Sequence, residues 1–196
     1  MKRFKIALAL GLLLAVVLTC SFSSFAAVCD EIRTDTLRLH ILANSDSEAD
    51  QQLKLAVRDA ILAQEGELFS GSEDKQQALD RAAQQLSRIQ QIAEETLREQ
   101  GCNDPVHVRL TNLYFTTTRY PDTGLTLPAG RYDAVRVEIG EAAGKNWFCV
   151  LFPPLCLPAA TEKENQYTEE EQMVTEGDYE LRFALVEWVE QLREFW

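Results

Sequence analysis

The sequence lacks the residue clusters on which most hydrolases and nucleotide-dependent enzymes rely. Among 196 residues there are only two histidines, His40 and His107, and no GxSxG, HExxH, CxxC or glycine-rich phosphate-binding motif occurs. Two histidines can hold zinc only if cysteine or carboxylate ligands join them at suitable spacings, which the chain does not show. The sequence therefore predicts neither a catalytic centre nor a metal or other cofactor.

Positive charge is also scarce. The chain has 19 lysines and arginines against 31 aspartates and glutamates, a formal net charge of −12. Proteins that bind nucleic acid need clustered cations to neutralise phosphates, and similar clusters draw proteins to anionic lipid surfaces. The composition therefore disfavours nucleic acid as a partner and general adsorption to anionic membranes.

Long hydrophobic runs are absent except at the N-terminus. Three basic residues within the first five precede an apolar run over Ile6–Leu18, and Ser24-Phe25-Ala26 places small residues where signal peptidase reads. The run is shorter than the roughly 20 residues of a membrane span, although the weakly polar residues up to Val28 would lengthen it. We predict export, with residues 1–28 forming a cleaved signal peptide or, if uncleaved, a membrane anchor.

The exported part is predicted to be one domain. Without residues 1–28 the lysine and arginine count falls from 19 to 16 against 31 acidic residues, so the net charge becomes −15. Residues 29–196 have the size of a single domain with a substantial core. Within them, residues 158–177 are acidic and poor in apolar side chains, which predicts a mobile loop.

Four cysteines lie beyond the signal segment, and an even number in an exported protein favours pairing. The corner Pro153-Pro154 can bring Cys149 and Cys156 within the Cα separation of about 4.4–6.8 Å that a disulfide needs. We predict a Cys149–Cys156 disulfide, which leaves Cys29 and Cys102 either joined or free. The alternative is that Cys149 is a small apolar residue of a buried strand.

Hydrophobic periodicity predicts an α+β fold. Alternation of apolar and polar residues indicates strands, and apolar residues at a spacing of three to four indicate helices. The predicted elements, in order, are a strand at Thr36–Ala43, a helix after Ser47, a helix at Glu73–Glu99, strands at Val106–Thr118, Ala134–Ile139 and Trp147–Phe152, and a helix at Asp178–Trp196. The order β-α-α-β-β-β-α predicts a largely antiparallel sheet with helices packed on one face.

The last predicted helix has a pronounced apolar face. Its members recur at helical spacing: Leu181, Ala184, Leu185, Trp188, Leu192 and Phe195. Such a face is typical of a helix that packs on a core.

Small polar residues fill the turn between the first strand and the first helix, Asn44-Ser45-Asp46-Ser47. Ser47 is placed to cap the helix, with Asp50 three residues later as in a capping box. One interpretation is a structural turn with redundant caps. The other is a binding site, because backbone N–H groups point outward at the start of a helix.

Two further functional classes stay open on residue types alone. A hydrolase would use Cys149 or Ser45 as nucleophile and His40 or His107 as base, provided that the two side chains lie within hydrogen-bond reach. A binding module would need a pocket lined by aromatic residues that are more typical of a core, namely Trp147, Phe148, Tyr114 and Phe115. Both histidines alternate with apolar neighbours, which predicts that they lie on polar faces of strands.

Two long segments resemble the stage II sporulation protein R family of endospore-forming bacteria. They are LRLHILANSDSEADQQLKLAVRDAIL at Leu37–Leu62 and YDAVRVEIGEAAGKNWFCVLFPPLC at Tyr132–Cys156. Their most distinctive words are HxxANSDS and the ending NW-aromatic-CVLFPPLC. The resemblance extends in order over the whole exported region.

The resemblance implies a signalling protein rather than an enzyme. Members of the family are made in the forespore and exported into the space between the forespore and mother-cell membranes. There they activate a membrane-embedded aspartic protease, which leads to processing of a sigma-factor precursor. This implies a membrane-proximal protein partner and no small-molecule substrate.

We place the candidate partner-binding surface where the Asn44–Asp50 turn meets a predicted hairpin at Gly140–Trp147. The acidic stretch at 158–177 looks specific to this chain, so the surface is not placed there. The candidate residues are Asn44, Ser45, Asp46, Ser47, Asp50, Asn146 and Trp147.

Overall fold

The computed structural model describes residues 2–64, 68, 71–120, 124–153, 168–177 and 179–194. The helices are α1 (Lys2–Asp35), α2 (Glu48–Ala63), α3 (Lys75–Glu99), α4 (Glu169–Glu176) and α5 (Glu180–Glu194). The strands are β1 (Leu37–Leu42), β2 (Val106–Phe115), β3 (Thr118–Tyr120), β4 (Leu125–Leu127), β5 (Gly130–Ile139) and β6 (Asn146–Phe152). The predicted α+β class is confirmed.

Packing divides the chain into two compact units. Unit 1 comprises Met1–Thr34, Phe115–Gly130 and Tyr167–Trp196, and unit 2 comprises Asp35–Tyr114 and Arg131–Gln166. This division describes packing alone and leaves the prediction of one domain over residues 29–196 untested.

Unit 2 contains a mixed four-stranded sheet in the order β2-β5-β1-β6. Strand β1 runs parallel to β5 and antiparallel to β6. The cross-strand contacts Arg109–Glu138 and Asn112–Asp133 occur in opposite order along β2 and β5, so these two strands run antiparallel. The sheet is therefore mostly antiparallel, as predicted, but it has one parallel pair at its centre.

The core of unit 2 lies between this sheet and helices α2 and α3. Alternation along β1 directs Leu37, Leu39 and Ile41 to the face that the helices cover, and all three are fully buried. The apolar residues of both helices that join them include Val57, Ile61, Ala82, Ile89, Ala93 and Leu97. These two helices therefore pack on the same face of the sheet.

The opposite face of β1 carries polar residues that are buried. Arg38 has no exposed surface, and its guanidinium carbon lies 5.0 Å from the ring centroids of both Tyr132 and Phe148. His40 is only 6% exposed, whereas His107 is exposed on β2. Alternation thus assigned His40 to the correct side of the strand, but did not predict its burial.

The predicted element order is incomplete, because α1, the β3–β4 pair and α4 were missing from it. Strands β3 and β4 have three residues each, too few for a periodic pattern. The loop prediction is wrong for α4, where Thr168 and Glu171 form a capping box that starts a helix in an acidic sequence. Residues 158–167 of that predicted loop lie outside the described residues.

In unit 1, the C-terminal part of α1 is part of the packed interior. Phe25, Cys29 and Ile32 are buried, as is Arg33. The Arg33 guanidinium donates to the carbonyl oxygen of Ala129 at 2.8 Å and forms an ion pair with Asp30. Phe25, near the end of the predicted signal segment, is therefore packed with the residues that follow that segment.

Helix α5 buries a different face from the one that its periodicity marks as apolar. Phe183 and Val186 are buried. The residues of the predicted apolar face are exposed: Leu181 by 76%, Leu185 by 44%, Trp188 by 60% and Leu192 by 42%. Ala184 is also exposed, and Phe195 lies outside the described residues.

The cysteines bear on the predicted disulfide. Within the described residues, Cys20, Cys29 and Cys102 carry free thiols, so Cys29 and Cys102 are not joined. Cys149 takes part in a disulfide. Cys156 lies outside the described residues, so its pairing with Cys149 stays a prediction.

Candidate functional site

Asp50 organises the turn between β1 and α2. Its Oδ2 atom accepts hydrogen bonds from Ser45 Oγ at 2.5 Å and from Asn44 Nδ2 at 3.1 Å. The backbone N–H of Asp50 donates to Ser47 Oγ at 3.1 Å, which caps the helix. The bond from Ser45 is the largest influence that lowers the pKa of Asp50 below its ordinary value. The turn is thus closed by its own side chains.

The segment from Gly140 to Lys145 joins β5 to β6, and we call it the β5–β6 connection. The predicted hairpin is wrong, because β1 lies between β5 and β6 in the sheet. Since β5 is parallel to β1, the C-terminal ends of both strands lie at the same end of the sheet. The connection from β5 to β6 must therefore cross the end of β1. That is where the Asn44–Asp50 turn begins, which explains why the two segments meet.

Backbone hydrogen bonds join the connection to the end of β1. The N–H of Ala143 donates to the carbonyl oxygen of Asn44 at 3.1 Å, and that of Gly144 to Ala43 at 3.0 Å. The approach is so close that a Cβ atom on Gly144 would lie 2.1 Å from the carbonyl oxygen of Ser45. Only glycine fits at this position without a shift of the backbone.

Side chains of the turn also accept backbone hydrogen bonds from the connection. Asn44 Oδ1 accepts from the N–H of Glu141 at 2.9 Å, and Asp46 Oδ1 from that of Lys145 at 2.6 Å. Gly140 has a φ of 57°, and a Cβ there would lie 2.3 Å from Asn44 Oδ1. Asn44 and Asp46 therefore hold the connection in place, which is a structural use of residues predicted as binding groups.

Lys54 of α2 joins the helix to the β5–β6 connection. It is 5% exposed, and its Nζ atom donates to Gln51 Oε1 at 2.7 Å and to the carbonyl oxygen of Lys145 at 3.0 Å. Burial, followed by repulsion from Arg58, lowers the pKa of Lys54. Sequence reasoning missed this residue, although it lies three residues before buried Val57 on the same face of the helix.

The seven candidate residues therefore lie in one assembly, but they differ in exposure. Asp46, Ser47 and Asn146 are exposed, and Asn44, Ser45, Asp50 and Trp147 are half-buried. The Arg58 guanidinium lies 5.3 Å from the centroid of a Trp147 ring. We call the exposed part of this assembly, residues 46–48 with Lys145 and Asn146, the turn surface. Its role in binding a partner remains a prediction.

The described geometry does not assemble the hydrolase alternative. Cys149 is the cross-strand partner of Leu39, so it lies on the face opposite to His40. His107 is on β2 at the other edge of the sheet, three strand spacings or about 14 Å from β6. Ser45 Oγ is bonded to Asp50 and accepts from the N–H of Ser47.

Nor do the described residues gather ligands for a metal: they contain no group of three or more histidine, cysteine, aspartate or glutamate side chains suited to hold an ion. Two of the aromatic residues proposed for a pocket are used otherwise. Trp147 stacks with Arg58 and Phe148 with Arg38.

Acid is expected to weaken unit 2 through His40. Burial, followed by the positive charges of Arg136 and Arg38, lowers the pKa of His40 from 6.5 to about 4. As the pH falls, His40 is protonated near pH 6.5 in the unfolded chain but only near pH 4 in the folded chain. Stability is therefore lost as the pH falls through this window, by about 2–3 kcal/mol.

Denaturant unfolding of the wild type and of His40→Gln between pH 7 and about pH 4.5 measures this contribution. The difference between the two proteins should change by that amount as the pH falls. His107→Gln is the matched control, because it removes the other, exposed histidine. An acid response that is the same in all three proteins would exclude His40 as its source.

Comparisons with known proteins match these segments to a family. Residues 33–162 match the family model "Stage II sporulation protein R (spore_II_R)". The chain is also similar to the stage II sporulation protein R of Bacillus subtilis (strain 168), with 33% identity over 187 residues that cover 82% of this chain and 83% of that protein. No solved structure matches the chain.

The matched range contains the whole of β1, the turn, the β5–β6 connection and β6, together with the helices between them. It covers well over half of the chain, and the similarity to the Bacillus subtilis protein continues beyond it. The chain therefore belongs to the stage II sporulation protein R family.

Proposed function

We propose that this protein is an exported sporulation signal that activates a membrane-embedded aspartic protease of the mother cell, which then processes a sigma-factor precursor. Membership of the stage II sporulation protein R family is the observation that carries the proposal. A net charge of −12 supports a protein partner over a nucleic acid.

The proposed location is the space between the forespore and mother-cell membranes. Helix α1 is long and apolar enough to cross a membrane, and the basic residues Lys2, Arg3 and Lys5 precede its apolar part, the arrangement expected when the N-terminus stays in the cytoplasm. Both a signal peptide and a retained anchor fit this segment.

We further propose that the turn surface contacts the protease. The hydrogen bonds around Asn44, Asp50 and Lys54 hold this part of the chain in one conformation, so that binding need not order it first. Lys145 and Asn146 are exposed on this rigid support. Polar groups that a fold presents in this way are suited to specific recognition.

Co-expression in a bacterium that does not sporulate tests the function. The protease and its sigma-factor precursor are produced with and without this protein, and cleavage of the precursor is followed by immunoblot. Cleavage is expected only when the full chain is present. Equal cleavage in its absence would refute the proposal.

The same assay tests the proposed surface. Asn146→Arg places a large cation on the turn surface and is expected to reduce cleavage, whereas Gln91→Arg makes the same kind of change at an exposed position of α3. Both proteins should unfold at the same denaturant concentration as the wild type. Equal cleavage with both variants would exclude Asn146 from the contact.

We also propose that Cys149 pairs with Cys156, since the other three cysteines are free thiols. A loop this short would contribute less than the roughly 3 kcal/mol of a 15-residue loop. Mass spectrometry of peptides from the non-reduced protein should show the two residues linked. Alkylation of both residues without reduction would rule the bond out.

A further inference from the structure

Helix α5 presents an apolar stripe to the outside of unit 1. The stripe consists of Leu181, Leu185, Trp188 and Leu192, which are 42–76% exposed. At about 100° per residue these four side chains fall within a sector of about 60°. A monomeric protein in water does not usually expose so large a contiguous apolar surface, so a partner for it is expected.

The stripe is free of charge as well as apolar. Helix α5 contains the carboxylates Glu180, Glu187, Glu190 and Glu194, each of which lies about 100° or more from the middle of the stripe. Its neighbours within about 90° on the helix are Ala184, Val189, Gln191 and the cation Arg182. A strongly acidic chain thus keeps its negative charges away from this one face.

Contacts within unit 1 place the start of α5 just beyond the apolar part of α1. The guanidinium of Arg182 donates to Ser21 Oγ at 3.4 Å and lies 5.6 Å from the ring centroid of Phe25. Further along, Glu190 forms an ion pair with Arg33 at 3.6 Å. Helix α5 therefore starts beside residue 21 and runs in the same direction as α1.

This direction fixes where the stripe would lie if α1 crosses a membrane. The apolar run ends at Leu18, three residues or about 4.5 Å before Ser21. Leu181, next to Arg182, then lies at the edge of the hydrocarbon layer, and Trp188 is about 10 Å further along α5. The headgroup layer is about 5–7.5 Å thick on each side of the hydrocarbon. Leu181 and Leu185 fall within it, and the ring of Trp188 reaches its outer part because α1 is tilted and helical side chains point back towards the N-terminus.

The geometry points to a lipid surface as the occupant of the stripe. We propose that α1 is retained as an anchor and that Leu181, Leu185 and Trp188 rest in the headgroup layer of the same membrane. Tryptophan is enriched at that depth because its ring is apolar and its N–H can bond to water or headgroups. The acidic chain favours zwitterionic over anionic lipid here.

Two features of unit 1 support retention of α1. The ring of Phe25 is 4% exposed and contacts the rings of Tyr179 and Phe183 at centroid distances of 5.5 and 5.3 Å. The peptide bonds that signal peptidase would cut directly follow Phe25 in the chain and lie within the continuous helix α1. Cleavage there would remove a side chain that unit 1 uses.

The test uses the full chain in phosphatidylcholine vesicles with Trp188 as the reporter. The variant Trp147→Phe/Trp196→Phe leaves Trp188 as the single tryptophan. Lipids brominated near the headgroup end of the acyl chains should remove most of its emission, and the vesicle should protect it from aqueous acrylamide. The matched variant Trp188→Phe/Trp196→Phe leaves Trp147 alone and measures how far brominated lipid quenches a tryptophan outside the stripe.

A second change checks that the stripe itself is responsible. Leu181→Ser/Leu185→Ser in the Trp188 background should reduce quenching by brominated lipid without altering the circular dichroism spectrum, because both side chains are exposed.

Three results would overturn the proposal. Trp188 could be unaffected by brominated lipid and open to acrylamide. Trp188 could be shielded from both brominated lipid and acrylamide, and this shielding could disappear on dilution, which would indicate that a second copy of the chain covers the stripe. Or the membrane-bound protein could begin beyond Phe25 by mass spectrometry, so that no anchor holds the stripe beside lipid.

Discussion

Replacing Phe25 by alanine is expected to lower the free energy of unfolding of unit 1 by about 3–5 kcal/mol. The side chain is 4% exposed, and its ring makes edge-to-face contacts with Tyr179 and Phe183. Truncation leaves a cavity and ends both ring contacts, which are worth more than their buried area. Hydrogen exchange of the α5 amides, in the full chain in detergent, measures the loss.

Leu181→Ala is the control for this prediction, because Leu181 belongs to the same unit but is 76% exposed. It should change the stability by no more than about 0.5 kcal/mol in detergent. If α5 exchanges equally fast in the wild type and in Phe25→Ala, the ring is not part of the packed interior.

The ring of Phe25 links the stability of unit 1 to cleavage of the signal segment. Cleavage after Ala26 removes Phe25 together with the apolar run, so a processed chain should show the stability loss of the alanine variant. Retention and cleavage of α1 thus differ in the stability of unit 1 as well as in location.

Replacing Gly144 by alanine is expected to separate the β5–β6 connection from the turn and to abolish signalling. A Cβ atom would lie 2.1 Å from the carbonyl oxygen of Ser45 and 3.0 Å from Ala43 Cβ. The backbone must shift, which costs about 1–3 kcal/mol and weakens the hydrogen bond to Ala43. The precursor cleavage assay and denaturant unfolding measure the two effects.

Ala142→Gly is the matched control, two residues away in the same connection. Ala142 has a φ of 51°, a conformation that glycine adopts without strain, so this variant should fold and signal like the wild type. Full signalling by a stably folded Gly144→Ala protein would show that the close contact is not required.

Local patterns predicted the elements that position the turn. Alternation in β1 and the cap at Ser47 each depend on a few neighbouring residues. The order of the strands in the sheet depends on residues that are distant in sequence. Strands adjacent in sequence usually pair, which suggested a β5–β6 hairpin, whereas β1 from the start of unit 2 separates the two strands.

The burial of side chains was harder to predict than the type of element they belong to. The apolar stripe of α5 has the period of a core-facing helix, but a period does not reveal what covers the face. Conversely, Arg38 and Lys54 carry charges and are nevertheless buried. Arg38 lies between two aromatic rings, and Lys54 donates to the carbonyl oxygens of Lys145 and Asn146. These compensations require partners from elsewhere in the chain.

Site-specific photo-crosslinking tests most directly the claim that the turn surface delivers the signal. A photoreactive amino acid replaces Asn146 in one protein and Gln91 in another, and each is co-expressed with the protease and the precursor. An adduct with the protease is expected from position 146 and none from position 91. An adduct from position 91 alone, or precursor cleavage with no adduct from position 146, would contradict the claim.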